Sequence, residues 1–173
     1  MTEYQRAVAK VNDLGGYVEG GPDLAREVKL NDTATSDADL ALLSPLRDAE
    51  ILHLFATEIS GSGLQYLSNW RRLRVLYLTH SKLEDHGLQY LAQMPWLHTL
   101  CVDFTRIGDE GLQYIGQIKE LRVLNIGGTG CTDEGLRFLI PLLNLKTLYH
   151  GNSISEQGVE RLKAKLPQLQ TST

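Results

Sequence analysis

One set of residues in this chain could assemble a nucleophile: the thiol of Cys101, with His53 and His80 as candidate bases and Asp103 as a candidate orienting carboxylate. A thiol attacks as its thiolate, and a base must come within about 3 Å to generate it. Two other sets invite the same question. Carboxylates recur at Asp37, Asp85, Asp109 and Asp133, and hydroxyls at Thr33, Thr57, Ser81, Thr105, Thr129 and Ser153. Neighbouring hydroxyls are 24 residues apart, and the carboxylates keep the same phase. Such regularity belongs to a repeated structural part and not to a single reaction centre. The second cysteine, Cys131, is not close to Cys101 in sequence and no CxxC pair occurs, so neither a disulfide nor a zinc site is expected, and no cofactor is implied.

The period runs through most of the 173 residues. From Leu73 the sequence reads LRVLYLTHSKLEDHGLQYLAQMPW, then LHTLCVDFTRIGDEGLQYIGQIKE, then LRVLNIGGTGCTDEGLRFLIPLLN, without gaps. Extending the same phase gives six units at 25–48, 49–72, 73–96, 97–120, 121–144 and 145–167, the last one residue short in its loop. Residues 1–24 precede them as an N-terminal cap and 168–173 follow as a tail, all in one domain.

Each unit opens with LxxLxL, whose last two apolar residues point to one side of a short strand because side chains alternate. The Thr or Ser at the ninth position is expected to bond backbone groups left free in the bend after the strand. The Asp at the thirteenth position precedes apolar residues spaced three apart, as in Leu88, Leu91 and Met94, which predicts a helix with an Asp N-cap. Neither set then acts in catalysis.

LxxLxLxxT followed by an apolar residue, Asp, Gly-Leu and a short helix resembles the leucine-rich repeat, in the 24-residue bacterial form abundant in planctomycetes. The resemblance covers residues 25 to about 166. The helix ending in Leu14, Gly15 and Gly16 and the closing LKAKLPQLQ also fit that family. Gly61 replaces the capping Asp in the second unit, and His150 stands where Leu is usual in the sixth. The implied fold is α/β: a solenoid forming part of a horseshoe, with a parallel sheet on the concave face and helices on the convex face. Strands pack about 4.8 Å apart while helices need 8–10 Å, so such a stack must curve with its sheet inside. Both ends of an open stack need caps. Tyr4, Ala7, Val8, Val11 and Leu14 make an apolar stripe for one end, and Val159, Leu162, Leu166 and Leu169 for the other.

The concave face is then legible by position. Fifth positions give Lys29, His53, Tyr77, Cys101, Asn125 and Tyr149; seventh positions include Phe55, Asp103, Gly127 and Gly151; eighth positions include His80, Phe104 and Gly128. Aromatic residues gather in the middle, and glycines leave a dip toward the C-terminus. Aromatic side chains anchor many interfaces. The expected function is therefore a non-enzymatic protein-interaction module. It takes a protein or peptide on His53, Phe55, Tyr77, His80, Cys101, Asp103, Phe104, Asn125 and Tyr149. The register opposes the enzyme reading, because Cys101 sits roughly 10 Å from His53 and from His80. The alternative is a self-associating module, forming a weak homo-oligomer through an end strand or the concave face.

A formal net charge of −4 and a pI near 5.7 argue against a nucleic-acid or anionic-membrane surface, and the one basic group compact in sequence, Arg71, Arg72 and Arg74, is small. No apolar run has the length of a signal-peptide core or a membrane span, so a cytoplasmic location is expected.

The phrase GLQYL at 63–67 and 87–91, and GLQYI at 111–115, falls at helix starts on the convex side. Leu64, Leu88 and Leu112 should point inward. Gly63, Gly87 and Gly111 should let neighbouring units approach, and Tyr66, Tyr90, Tyr114 and Phe138 should form a row along adjacent helices.

Overall fold

The computed structural model describes residues 1–21 and 24–173; positions 22 and 23 of the expected cap lie outside the described residues. Helix α1 (Glu3–Asp13) opens the chain because Thr2 and Gln5 cap it reciprocally, Thr2 Oγ1 accepting from Gln5 N at 3.1 Å and Gln5 Oε1 from Thr2 N at 2.9 Å. Its stripe buries Ala7 and Val11 against the first unit. Strand β1 (Tyr17–Gly21) then pairs antiparallel with β2 (Leu24–Lys29). The sheet is thus parallel except at this first edge, where the antiparallel β1 covers the ladder that a parallel stack would leave open.

Strands β3 (Ile51–His53), β4 (Val75–Tyr77), β5 (Thr99–Cys101), β6 (Val123–Asn125) and β7 (Thr147–Tyr149) follow in parallel register. Val28, Leu52, Leu76, Leu100, Leu124 and Leu148 are direct partners in that register, so the 24-residue period is the sheet register itself. The residues expected as a C-terminal tail instead supply β8 (Gln170–Ser172), parallel to β7. All of these apolar columns are buried, together with Leu40, Leu64, Leu88, Leu112 and Leu136 on the opposite layer.

The convex layer is less helical than expected. Only α2 (Asp37–Leu40), α3 (Leu88–Leu91), α4 (Asp109–Ile115) and α5 (Glu156–Lys163) carry α-helical turns, and 41–46, 62–67, 85–87 and 135–139 are 3-10. Segments of three to six residues gain little from helix cooperativity, and 3-10 turns are common in pieces this short. Tyr90, Tyr114 and Phe138 are half-buried against the core while Tyr66 is exposed.

The acidic positions do not cap the helices they precede. Asp37 accepts from Ser60 N (3.0 Å), Ser60 Oγ (2.6 Å), Gly61 N (3.1 Å) and Gly63 N (2.7 Å), all in the following unit. Asp85 accepts from Gly108 N (2.7 Å), Asp109 from Thr132 N (2.8 Å), and Asp133 from Ser155 N (2.8 Å). Each carboxylate is a bracket between units, because the bend of the next unit presents free N–H groups at strand spacing. Four of the ninth-position hydroxyls do satisfy their own bends: Thr33, Thr57, Thr105 and Thr129 donate to the carbonyl three residues back at 2.6–2.8 Å. Ser153 donates instead to Cys131 O at 2.8 Å, and the buried Ser81 hydroxyl has no partner among the described residues.

Candidate functional site

The concave face is built by side chains that alternate outward between buried leucines. His53, Tyr77, Cys101, Asn125 and Tyr149 stand side by side on successive strands. His53 stacks on Tyr77 with ring centroids 4.7 Å apart, and its Nε2 meets Glu27 Oε1 at 2.6 Å. Lys29 pairs with Glu27 at 3.2 Å and with Glu19 at 2.9 Å, so the N-terminal end of the face is a closed ionic cluster. Burial pushes the Glu27 carboxyl up, but its bonds and charge contacts with Lys29 and His53 outweigh that and hold it below its ordinary value.

Past the strand ends the backbone makes a turn that the sequence had not revealed. Asp32, Ala56, His80 and Phe104 all have positive φ, between 50° and 58°, and Gly128 follows at 66°. The turn continues the hydrogen-bond ladder one step beyond the strands. Ala56 N donates to Thr79 O (2.9 Å), His80 N to Asp103 O (3.0 Å) and Phe104 N to Gly127 O (2.8 Å). This left-handed region costs a non-glycine residue on the order of 1 kcal/mol. The Asp, Asn and Gly found at other eighth positions are the types that tolerate it best, and that composition was the available signal.

At His80 and Phe104 the strained position holds a ring. The two rings stack with centroids 4.5 Å apart and planes inclined by 1°, and Phe55 meets His80 edge-on at 5.5 Å. The other side of the Phe104 ring covers Gly128, where an added Cβ would lie 2.5 Å from Phe104 Cδ1. Phe104 nevertheless remains 56% exposed. Beside it a depression of about 670 Å3 is lined by Asp103, Phe104, Asn125, Gly127, Gly128 and Tyr149. Tyr149, 43% exposed, flanks the dip without joining the ring stack. Asp103 is buried and accepts from Thr79 Oγ1 at 2.7 Å, and the Asn125 amide oxygen accepts from Gly127 N at 3.0 Å.

Eight of the nine residues expected at the site are exposed or half-buried along the concave face while Asp103 is buried, and the thiol constellation within them does not form. Both imidazoles are held in ring stacks away from Cys101. Burial, with the Asp103 carboxylate beside it, pushes the Cys101 thiol up to about 11. Burial does the same to Cys131, up to about 12, and both thiols are unpaired. Among the described residues no group of three or more His, Cys, Asp or Glu side chains is placed to hold a metal ion. His150 is buried beside the end of β7, its Nδ1 3.2 Å from Gly151 O. No helix among the described residues is long and apolar enough to cross a membrane.

A family profile described as "Leucine Rich repeat" matches residues 93–116. Among solved structures, a leucine-rich-repeat protein of Leptospira interrogans superposes with a TM-score of 0.63 at 20% identity over 86% of this chain. Internalin C2 of Listeria monocytogenes superposes with a TM-score of 0.61 at 20% identity over 85% of this chain. The chain spans 37% of the length of the first and 70% of the second. No curated protein matches the chain in sequence.

Proposed function

Because the chain is a leucine-rich-repeat solenoid, we propose that it is a non-enzymatic interaction module that takes a protein or peptide segment on its concave face. The observation that carries this reading is Phe104, a mostly exposed ring kept at a backbone position where glycine would be cheaper. Local strain retained together with exposed aromatic surface is better explained by a contact than by folding. Phe55, Tyr77, His80 and Phe104 supply anchors, and the glycine-floored dip toward Tyr149 receives a projecting side chain. The raised thiol of Cys101 supports a contact role and not a nucleophilic one. The two unpaired thiols are in keeping with a reducing, cytoplasmic setting.

Alanine at Tyr77 and at Phe104 tests the proposal in affinity capture from the native lysate. Affinity for bound partners should fall by about thirtyfold or more, since hot-spot truncations cost about 2 kcal/mol or more. Unchanged recovery of every partner by both variants would sink it. Self-association is the second reading, supported by β8, which is bonded to β7 on one side and ends the sheet on the other. Light scattering that reports a monomer across a hundredfold concentration range would end that reading.

A further inference from the structure

The sheet assembles a line of charge from residues that the sequence scatters. Second positions of the six units are Arg26, Glu50, Arg74, His98, Arg122 and Lys146. Backbone bonds join them as consecutive rungs: Arg74 N to Glu50 O (2.8 Å), His98 N to Arg74 O (2.9 Å), Arg122 N to His98 O (2.8 Å) and Lys146 N to Arg122 O (2.8 Å). Four basic side chains thus follow one another at strand spacing, about 4.8 Å per step, along the rim where the strands begin. Arg122 and Lys146 are exposed, and Arg74 and His98 are half-buried. Among the described residues none of the four pairs with a carboxylate at salt-bridge distance. Glu50, at the preceding rung, is taken by Arg72 at 3.5 Å.

Like charges on adjacent strands repel. His98 registers the resulting field. Burial and then Arg122 and Arg74 hold its imidazole below the ordinary value, against a smaller opposing pull from Glu120. Arg74 Nη1 donates to Arg71 O at 2.9 Å, and the carboxylate influence on His98 is the weak pull of Glu120. A basic line that forms no salt bridge of its own, on a chain of net charge −4, is best matched by an anion brought from outside.

We infer that the Arg74, His98, Arg122 and Lys146 row is a docking rim for an acidic, extended segment of a protein partner. This rests on the interaction-module reading and adds to it the chemistry of the ligand. Three strand steps span about 14 Å, which four or five extended residues match, with carboxylates on alternate residues facing the rim. A nucleic acid fits less well, because its affinity comes from roughly 6–10 phosphate contacts. This rim offers a single file of three lasting cations, Arg74, Arg122 and Lys146, with His98 held toward its neutral form between them.

An eight-residue glutamate peptide carrying a fluorophore, followed by anisotropy, tests the rim. Wild-type protein should bind it at about 20 mM salt, at least tenfold more tightly than an eight-residue glutamine peptide, and lose about tenfold of that affinity at 200 mM. R122Q/K146Q should weaken binding by about tenfold, while R122K/K146R, which keeps both charges, should bind within about twofold of wild type. Equal binding by wild type and R122Q/K146Q, or glutamine bound as well as glutamate, overturns the inference. So does tighter binding of a single-stranded oligonucleotide of equal charge. F104A should leave the peptide affinity unchanged, so a failure at the rim is distinguishable from a failure of the aromatic face.

Discussion

Asp109 and Gly135 fit together across the boundary between the fourth and fifth units: a Cβ at Gly135 would overlap Asp109 Oδ1. The carboxylate needs that space to reach Thr132 N at 2.8 Å and Thr132 Oγ1 at 2.7 Å. The same relation joins Asp85 to Gly111, where the added Cβ would lie 2.5 Å from Oδ1, and Asp133 to Gly158. The glycines at 111, 135 and 158 are therefore sockets of inter-unit brackets, whereas Gly87 of GLQYL meets Gly61, which stands where most other units carry the Asp.

Substitution of Gly135 by Ala should destabilise the protein by about 1–3 kcal/mol, the usual penalty for overpacking. The measurement is urea unfolding. Asp109→Ala in the same chain should remove part of that loss, giving a coupling energy of about 0.5–3 kcal/mol in a double-mutant cycle. Strict additivity would show that the two residues do not compete for one space.

Asp37 accepts four bonds from the next unit, and its acid stability follows from them. Burial pushes its carboxyl up, but the bonds from Ser60, Gly63 and Gly61 outweigh that and hold it below the ordinary value. A folded-state value below the unfolded one means that the stabilisation is fully present above about pH 4 and is lost as pH falls through the folded value. D37N should cost about 1–3 kcal/mol at pH 7 and flatten the decline of stability between pH 4 and pH 2. Glu27, depressed against its own burial by Lys29 and His53, Asp39, depressed likewise by Lys10 and Ser36, and Asp133, depressed by Ser155, should retain the remaining acid sensitivity. An unaltered acid limb in D37N would exclude Asp37 as its source.

Phe104→Gly relieves a left-handed backbone at φ 54° and removes the stack on His80, two effects of about 1 kcal/mol that oppose each other. The melting temperature should move by no more than about 4 °C. Gly128→Ala places a Cβ 2.5 Å from Phe104 Cδ1 and should lower it further. Loss of partner capture by F104G at unchanged stability would then report contact and not unfolding.

Cys101, with its thiol pushed up to about 11, should alkylate slowly at pH 7. The rate should still be rising at pH 9, since the thiolate fraction climbs until pH meets the pKa. A rate that levels off below pH 8 would reveal an activated thiol and reopen the enzyme reading.

Much of this architecture was legible because it repeats. Leu52, Leu76, Leu100 and Leu124 are separated by the period that the sheet register then imposes, and the thirteenth-position Asp and fifteenth-position Gly could be located without coordinates. What those side chains reach was not legible. The N-cap expected at Asp109 is a local bond, whereas the observed one crosses to Thr132, and a one-dimensional pattern does not distinguish an acceptor turned inward from one turned to the next unit. The antiparallel β1 and the closing β8 were likewise hidden, since both lie outside the period.

The sequence by itself determined the period, the buried columns and which residues share the concave face, because each of these follows from spacing and from the alternation of side chains along a strand. Only the tertiary structure decided the left-handed turn under His80 and Phe104, the stack those rings form over Gly128, and the basic line from Arg74 to Lys146. Those properties arise between units. Residues 24 positions apart come within one strand spacing only when the sheet closes, and stacking, steric sockets and summed charge act at that distance.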